Sequence, residues 1–71
     1  MGTKNNPGEY DCYDKAEPDE PMFVLLARDE YAPQLVELWA AMRTMHGGDK
    51  DQINEAIKCA VAMDSWRKEN R

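Results

Sequence analysis

The hydrophobic pattern of residues 33–46 predicts an amphipathic helix with one buried face. Pro33 suits the first helical turn, because its φ is already helical and its missing N–H has no intrahelical partner there. Apolar side chains then recur at intervals of three and four residues, the spacing of one helix face. These side chains are Leu35, Leu38, Trp39, Met42 and Met45. We expect this face to be buried, with Glu37 and Arg43 on the opposite side.

Residues 47–49 carry the signals for the end of one helix and the start of the next. Gly47 and Gly48 suit the left-handed backbone of a helix C-terminus, and Asp49 with Gln52 forms a capping-box pattern. A helix over residues 50–68 follows. Its predicted buried stripe is Ile53, Ala56, Ile57, Ala60 and Met63, and an adjacent stripe is Cys59, Met63 and Trp66. Because the turn is short, we predict an antiparallel helical hairpin.

Residues 22–27 are apolar at every position, so this run must be buried on most sides. Periodicity alone does not separate a buried helix from a buried strand here. Pro21 at a first helical position, with Asp19 and Glu20 beside it, favours a short helix over residues 21–30. A strand is the alternative, and it would need a second chain as its partner. The predicted fold is therefore all-α: a helical hairpin with a short N-terminal helix.

The N-terminal segment differs from the rest in composition and charge. Residues 1–20 hold two lysines and six acidic side chains, a net charge of −4, whereas residues 21–71 carry a net charge of −1. Gly, Asn and Pro residues predict a disordered tail over residues 1–9. Residues 10–71 form the single predicted domain. Residues 9–19 are expected to lie as an extended arm on the helices.

Overall charge and length exclude several classes of protein. The chain has 71 residues and a formal net charge of −5, which argues against sequence-independent nucleic-acid binding and against anionic membrane surfaces. There is no apolar run of 18 residues, and the polar first twenty residues do not resemble a secretory signal. A core this small is barely stable alone. We therefore expect a homo-oligomer, with a two-fold dimer as the simplest form.

The cysteines and the single histidine do not form a catalytic or zinc-binding pattern. Cys12, Cys59 and His46 are too few for the usual zinc cluster. A Cys12–Cys59 disulfide is possible, but nothing else in the chain suggests secretion, so we expect reduced thiols. Cys59 lies beside an apolar stripe and Cys12 has acidic neighbours, which disfavours a reactive thiolate. We expect no enzyme activity and no cofactor.

Acidic pairs also give little support to a metal site. Asp11 with Asp14, and Asp49 with Asp51, resemble fragments of oxygen-ligand loops. Neither pair has the glycine and terminal glutamate of a calcium loop. Solvation and helix capping account for both pairs, so we predict no bound metal.

Aromatic and basic residues provide the candidate binding chemistry. Tyr13 is the candidate for stacking on a base, and Lys15, Arg28 and Arg43 are the candidates for phosphate contacts. The simpler interpretation is that the aromatic residues fill the core and that these cations are ordinary surface charges. The five methionines would suit either a core or an adaptable protein surface.

One block of sequence is similar to a family of short proteins encoded in tailed phages and prophages. Residues 10–29 follow the pattern YDCYxKAxPxEPMFxLLARD. The likeness continues through the step Ala32-Pro33, the segment LVxLWA at residues 35–40, Cys59 with Ala60, and Trp66. It covers about residues 10–67. The functions of this family are largely unassigned, so the resemblance implies a phage setting and the host cytoplasm more than a mechanism.

A phage setting favours counter-defence for a small protein without catalytic residues. One route is a sponge that sequesters a nucleotide-derived immune signal, using the aromatic and basic residues above. The other is to act as a protein–protein inhibitor or adaptor that binds a host defence protein through an acidic or apolar surface. The mixture of aromatic, basic and acidic residues in block 10–29 favours the sponge.

Overall fold

The structure, a computed structural model, describes residues 1–70 and contains three helices. They are α1, Cys12–Lys15; α2, Ala32–Met45; and α3, Lys50–Glu69. α2 and α3 pack against each other across a four-residue turn, and no strand occurs in residues 1–70. The all-α class and the helical hairpin are confirmed. Residue 71, the predicted end of the domain, lies outside the described residues.

The turn between α2 and α3 has the capping geometry that the sequence predicts. The Gly48 N–H donates to the Arg43 carbonyl at 2.8 Å, and the Gly47 N–H donates to the Thr44 carbonyl at 3.4 Å. Gly47 has φ +74°, so this is a Schellman C-terminus with glycine in the left-handed position. The Asp49 carboxylate then accepts from the N–H of Asp51 at 2.9 Å. Two backbone signals thus fix the reversal of the chain.

The buried face of α2 is not the predicted one. Exposed fractions are 46% for Leu35, 55% for Leu38, 53% for Met42 and 80% for Met45, while Trp39 is half-buried. The buried or half-buried side chains of α2 instead include Ala32, Val36 and Ala40, which stand four positions apart. Ala40 packs with Ile53 and Ala56 of α3, and Val36 packs against that cluster. α2 therefore has two apolar faces, and periodicity alone cannot decide which of them α3 covers.

Alanines line most of the contact between the two long helices. Ala56 and Ala60 of α3 are fully buried, and Ala40, Ile53 and Ala56 form the centre of the core. Small side chains let helix axes approach at the short end of the usual 8–10 Å range. Of the stripe predicted for α3, Ile53, Ala56 and Ala60 are buried, and Met63 is half-buried. The prediction was wrong for Ile57, which is 45% exposed.

The predicted helix over residues 21–30 does not form. Residues 16–31 contain only turns and irregular backbone, and residues 22–24 and 26 are exposed. Only Leu25 and Ala27 of this apolar run are half-buried. An isolated ten-residue helix is marginal in water without a packed face, and two inward side chains do not supply one. The run therefore adopts neither of the two structures, helix or strand, that its composition allows.

A short helix, α1, interrupts the segment that was predicted to be an extended arm. The Asp11 carboxylate caps it by accepting from the Tyr13 N–H at 3.2 Å. The arm is held to α3 by Glu55, whose carboxylate accepts from the Glu9 N–H at 3.0 Å and the Tyr10 N–H at 3.1 Å. The amino group of Met1 lies 4.0 Å from the same carboxylate. The disordered tail over residues 1–9 stays a prediction.

We expect Glu55→Ala to release the arm from α3. Hydrogen bonds to a charged acceptor contribute about 1.5–3 kcal/mol, and two N–H groups lose theirs. Amide hydrogen exchange at Glu9 and Tyr10 should accelerate by at least about tenfold. Glu55→Gln keeps one acceptor oxygen and should lose less, and Glu37→Ala, on the exposed side of α2, should change neither rate. Unchanged exchange in Glu55→Ala would contradict this role.

None of the helices described in residues 1–70 has the length and apolar character needed to cross a bilayer.

Candidate functional site

A cleft of about 540 Å³ lies along the C-terminal half of α3, and we call it the α3 cleft. The irregular segment at residues 25–28 and residues 2–4 also line it. The α3 side chains that line it are Cys59, Ala62, Met63, Ser65, Trp66 and Glu69. Its volume falls within the range of small-molecule pockets, about 300–1,000 Å³.

The spacing of residues along α3 explains why three of its side chains line the α3 cleft together. Cys59, Met63 and Trp66 stand four and three positions apart, so they share one helix face. This is the second apolar stripe of the sequence pattern, and it lies beside the buried line of Ile53, Ala56 and Ala60. The stripe gives the cleft an apolar part of its lining, which includes the indole of Trp66, and Trp66 is 47% exposed.

A tight turn holds Arg28, which lines the α3 cleft. The Asp29 N–H donates to the Leu26 carbonyl at 3.0 Å, and the Asp29 side chain accepts from the Tyr31 N–H at 2.9 Å. The turn leads directly into α2. Within residues 1–70, no carboxylate forms an ion pair with Arg28. The guanidinium is therefore available to an anion that enters the cleft.

The charged side chains that line the α3 cleft are two cations and one carboxylate. Arg28 and Lys4 line it together with Glu69. A guanidinium can hold a phosphate with two parallel hydrogen bonds, and a lysine adds a point charge. An indole face stacks on any nucleobase. Arg28, Lys4 and Trp66 thus supply both kinds of contact that a nucleotide needs.

A second cleft, of about 450 Å³, lies between the arm and α3, and we call it the arm cleft. Its lining residues are Tyr10, Cys12, Lys15, Ala16, Glu20, Pro21, Met22, Phe23 and Gln52. The Lys15 ammonium is already engaged: it lies 5.3 Å from the centre of the Tyr10 ring and donates to the Glu9 carbonyl at 3.3 Å.

The electrostatic field at the arm cleft disfavours anions. Desolvation raises the pKa of the Tyr10 phenol, and the nearby carboxylates raise it further. Those carboxylates belong to Asp49, Glu9, Asp51 and Glu55. Because they oppose the phenolate, they also oppose a phosphate at the same place. Of the two clefts, the α3 cleft is the better site for an anionic ligand.

The four predicted contact residues do not share one cleft in the single chain. Arg28 lines the α3 cleft and Lys15 lines the arm cleft, whereas Tyr13 and Arg43 line neither. Tyr13 is exposed on α1. The Arg43 guanidinium stacks 5.5 Å from the centre of the Trp39 ring. The ligand contacts of these four residues stay predictions, and the geometry favours Arg28.

No protein-family model, curated protein or solved structure matches this chain. Function is therefore inferred from the residues that line the α3 cleft and from their chemistry.

Two residues of the α3 cleft, Trp66 and Lys4, are absent from the predicted contact set. The stripe of Cys59, Met63 and Trp66 was the available signal, because it gave α3 a second apolar face for another segment to meet. No pattern in the sequence placed Lys4 there, since it lies 62 positions from Trp66 along the chain. Only the folded path of residues 2–4 brings them to one cleft.

The sulfur and carboxylate groups do not assemble into a further centre. Cys12 is exposed and Cys59 is half-buried, and both are free thiols. Across residues 1–70, no three His, Cys, Asp or Glu side chains come together in a way that could hold a metal ion.

Proposed function

We propose that this protein is a non-enzymatic phage counter-defence protein that sequesters a nucleotide-derived immune signal. The observation that carries the proposal is the α3 cleft, whose lining includes the indole of Trp66 and the cations of Arg28 and Lys4. A base would stack on the indole, and a phosphate would take the bidentate contact of the guanidinium. The phage setting rests on the resemblance of residues 10–29.

Sequestration requires affinity and no chemical step, which agrees with the groups in the α3 cleft. The described lining holds one thiol, Cys59, and no imidazole that could act as its base. His46 is instead the C-cap residue of α2. A thiol without an adjacent base is a poor nucleophile. The proposal therefore gives Cys59 a packing role.

A second candidate function is that of an inhibitor or adaptor that binds a host defence protein through a surface contact. Exposed apolar side chains at Phe23, Val24 and Leu26 favour it, because such clusters mark protein interfaces. The acidic residues 1–20 would add charge to that contact. This candidate needs no ligand in the α3 cleft, which makes the two functions separable.

We expect a nucleotide ligand to raise the melting temperature strongly. A ligand at 100 times its Kd adds about 2.7 kcal/mol to the free energy of unfolding, equivalent to about 10 °C or more in a domain of this size. The probes are cyclic dinucleotides, cyclic trinucleotides and ADP-ribose derivatives, screened by thermal shift. No rise with any probe, together with a host protein retained on pull-down, would favour the inhibitor instead.

A further inference from the structure

The side of α2 turned away from α3 is apolar and uncharged, and we call it the outer α2 face. It consists of Gln34, Leu35, Leu38, Ala41, Met42 and Met45, all of them exposed. The two charged residues of α2, Glu37 and Arg43, lie outside this face at 100° per residue. An uncharged face is unusual in an acidic chain, and it leaves four large side chains in water.

The accessible surface of the whole chain is larger than that of a typical folded monomer of the same mass. The accessible surface is 6035 Å², whereas a folded monomer of 8.2 kDa exposes about 4,500 Å². The excess is about 1,500 Å², and each partner in a standard stable complex buries about 800 Å². One additional interface of ordinary size is therefore available to this chain.

The order of residues on the outer α2 face makes it complementary to itself. The positions 35, 38, 42 and 45 are symmetric about residue 40. In an antiparallel pair of α2 helices centred there, Leu35 meets Met45 of the second copy, and Leu38 meets Met42 of the second copy. Every large apolar side chain then has an apolar partner, as a two-fold interface requires.

We propose that the outer α2 face is covered by the same face of a second copy. Two hairpins then form a row of four helices, with the two antiparallel α2 helices at the centre and one α3 helix on each outer side. Ala41 next to the axis lets the two α2 helices approach closely. This pairing buries the face that the sequence pattern marked as core, but it does so between chains. It does not depend on a nucleotide ligand.

Analytical ultracentrifugation of the full chain tests the pairing. The wild-type protein should sediment at twice the mass of the 8.2 kDa chain at micromolar concentration. Leu38→Glu with Met42→Glu places four carboxylates at the two-fold axis, so the dimer dissociation constant should rise at least about 100-fold. Circular dichroism should still show the helical hairpin, because α3 covers the other face of α2.

The matched control is Val61→Glu, which adds the same charge at an exposed apolar position of α3 and should leave the dimer intact. If the glutamate pair unfolds the hairpin, Leu38→Gln with Met42→Gln should still yield a helical monomer. A wild-type monomer at 100 µM would overturn the proposal, and so would a dimer that survives the glutamate pair. Dissociation by Val61→Glu alone would also overturn it, because it would place the interface on α3.

Discussion

Ala56→Leu should lower the free energy of unfolding of the helical hairpin strongly. Ala56 is fully buried at the centre of the contact between α2 and α3, against Ala40 and Ile53. A larger side chain there must push the helices apart, which costs about 1–3 kcal/mol and sometimes more. A chain of 71 residues has a free energy of unfolding of only about 4–10 kcal/mol.

Urea denaturation followed by circular dichroism measures this loss. The midpoint should fall in Ala56→Leu with little change in the slope, because the surface exposed on unfolding stays similar. Ala62→Leu is the control: Ala62 is exposed on the same helix, and its substitution should change stability by about 0.5 kcal/mol or less. Equal midpoints for wild type and Ala56→Leu would show that the helices do not meet at this alanine.

Arg28→Ala should weaken binding of the nucleotide probe that gives the largest thermal shift by about 1.5–3 kcal/mol. This loss is a roughly 10- to 150-fold rise in Kd, measured by isothermal titration calorimetry. Because Arg28 is exposed and forms no ion pair within residues 1–70, stability should change by about 0.5 kcal/mol or less. Arg28→Lys should recover only part of the affinity, since a point charge cannot supply the guanidinium fork.

The control for Arg28 is a cation in the other cleft. Lys15 lines the arm cleft, where carboxylates oppose anions, so Lys15→Ala should leave the Kd unchanged. A Kd that is unaffected by Arg28→Ala would remove this residue from the site. An equal loss in Lys15→Ala would instead place the ligand in the arm cleft, or would show a general effect of charge.

The parts of the fold that sequence could predict are those set by local backbone chemistry. Gly47 and Asp49 act through their own dihedral angles and hydrogen bonds, so their roles follow from a few neighbouring residues. The buried face of α2 could not be settled in this way. Ala32, Val36 and Ala40 recur at a spacing that one helix face allows, and so do Leu35, Leu38 and Met42. In the folded chain the face with the smaller side chains is the buried one.

The helix predicted over residues 21–30 was wrong because tertiary contacts are lacking there. Its composition indicates burial, but the single chain offers it too little surface to pack against, so the local preference for a helix is not realised. The candidate site shares this dependence on tertiary structure. Arg28 could be singled out by residue type. Its presence in the same cleft as Trp66 depends on how the backbone of residues 25–28 returns to α3. The electrostatic field that disfavours anions in the arm cleft, near Lys15, likewise depends on four carboxylates, one of which lies far from the other three in the sequence.

Recovery of a bound nucleotide tests sequestration most directly. In equilibrium dialysis, the protein should lower the free concentration of a cyclic nucleotide or ADP-ribose probe in proportion to the number of binding sites. Heat denaturation should then release the probe, and mass spectrometry should find it at its original mass. No depletion of any probe would contradict the proposed function. Depletion followed by release of a product of altered mass would show an enzyme instead.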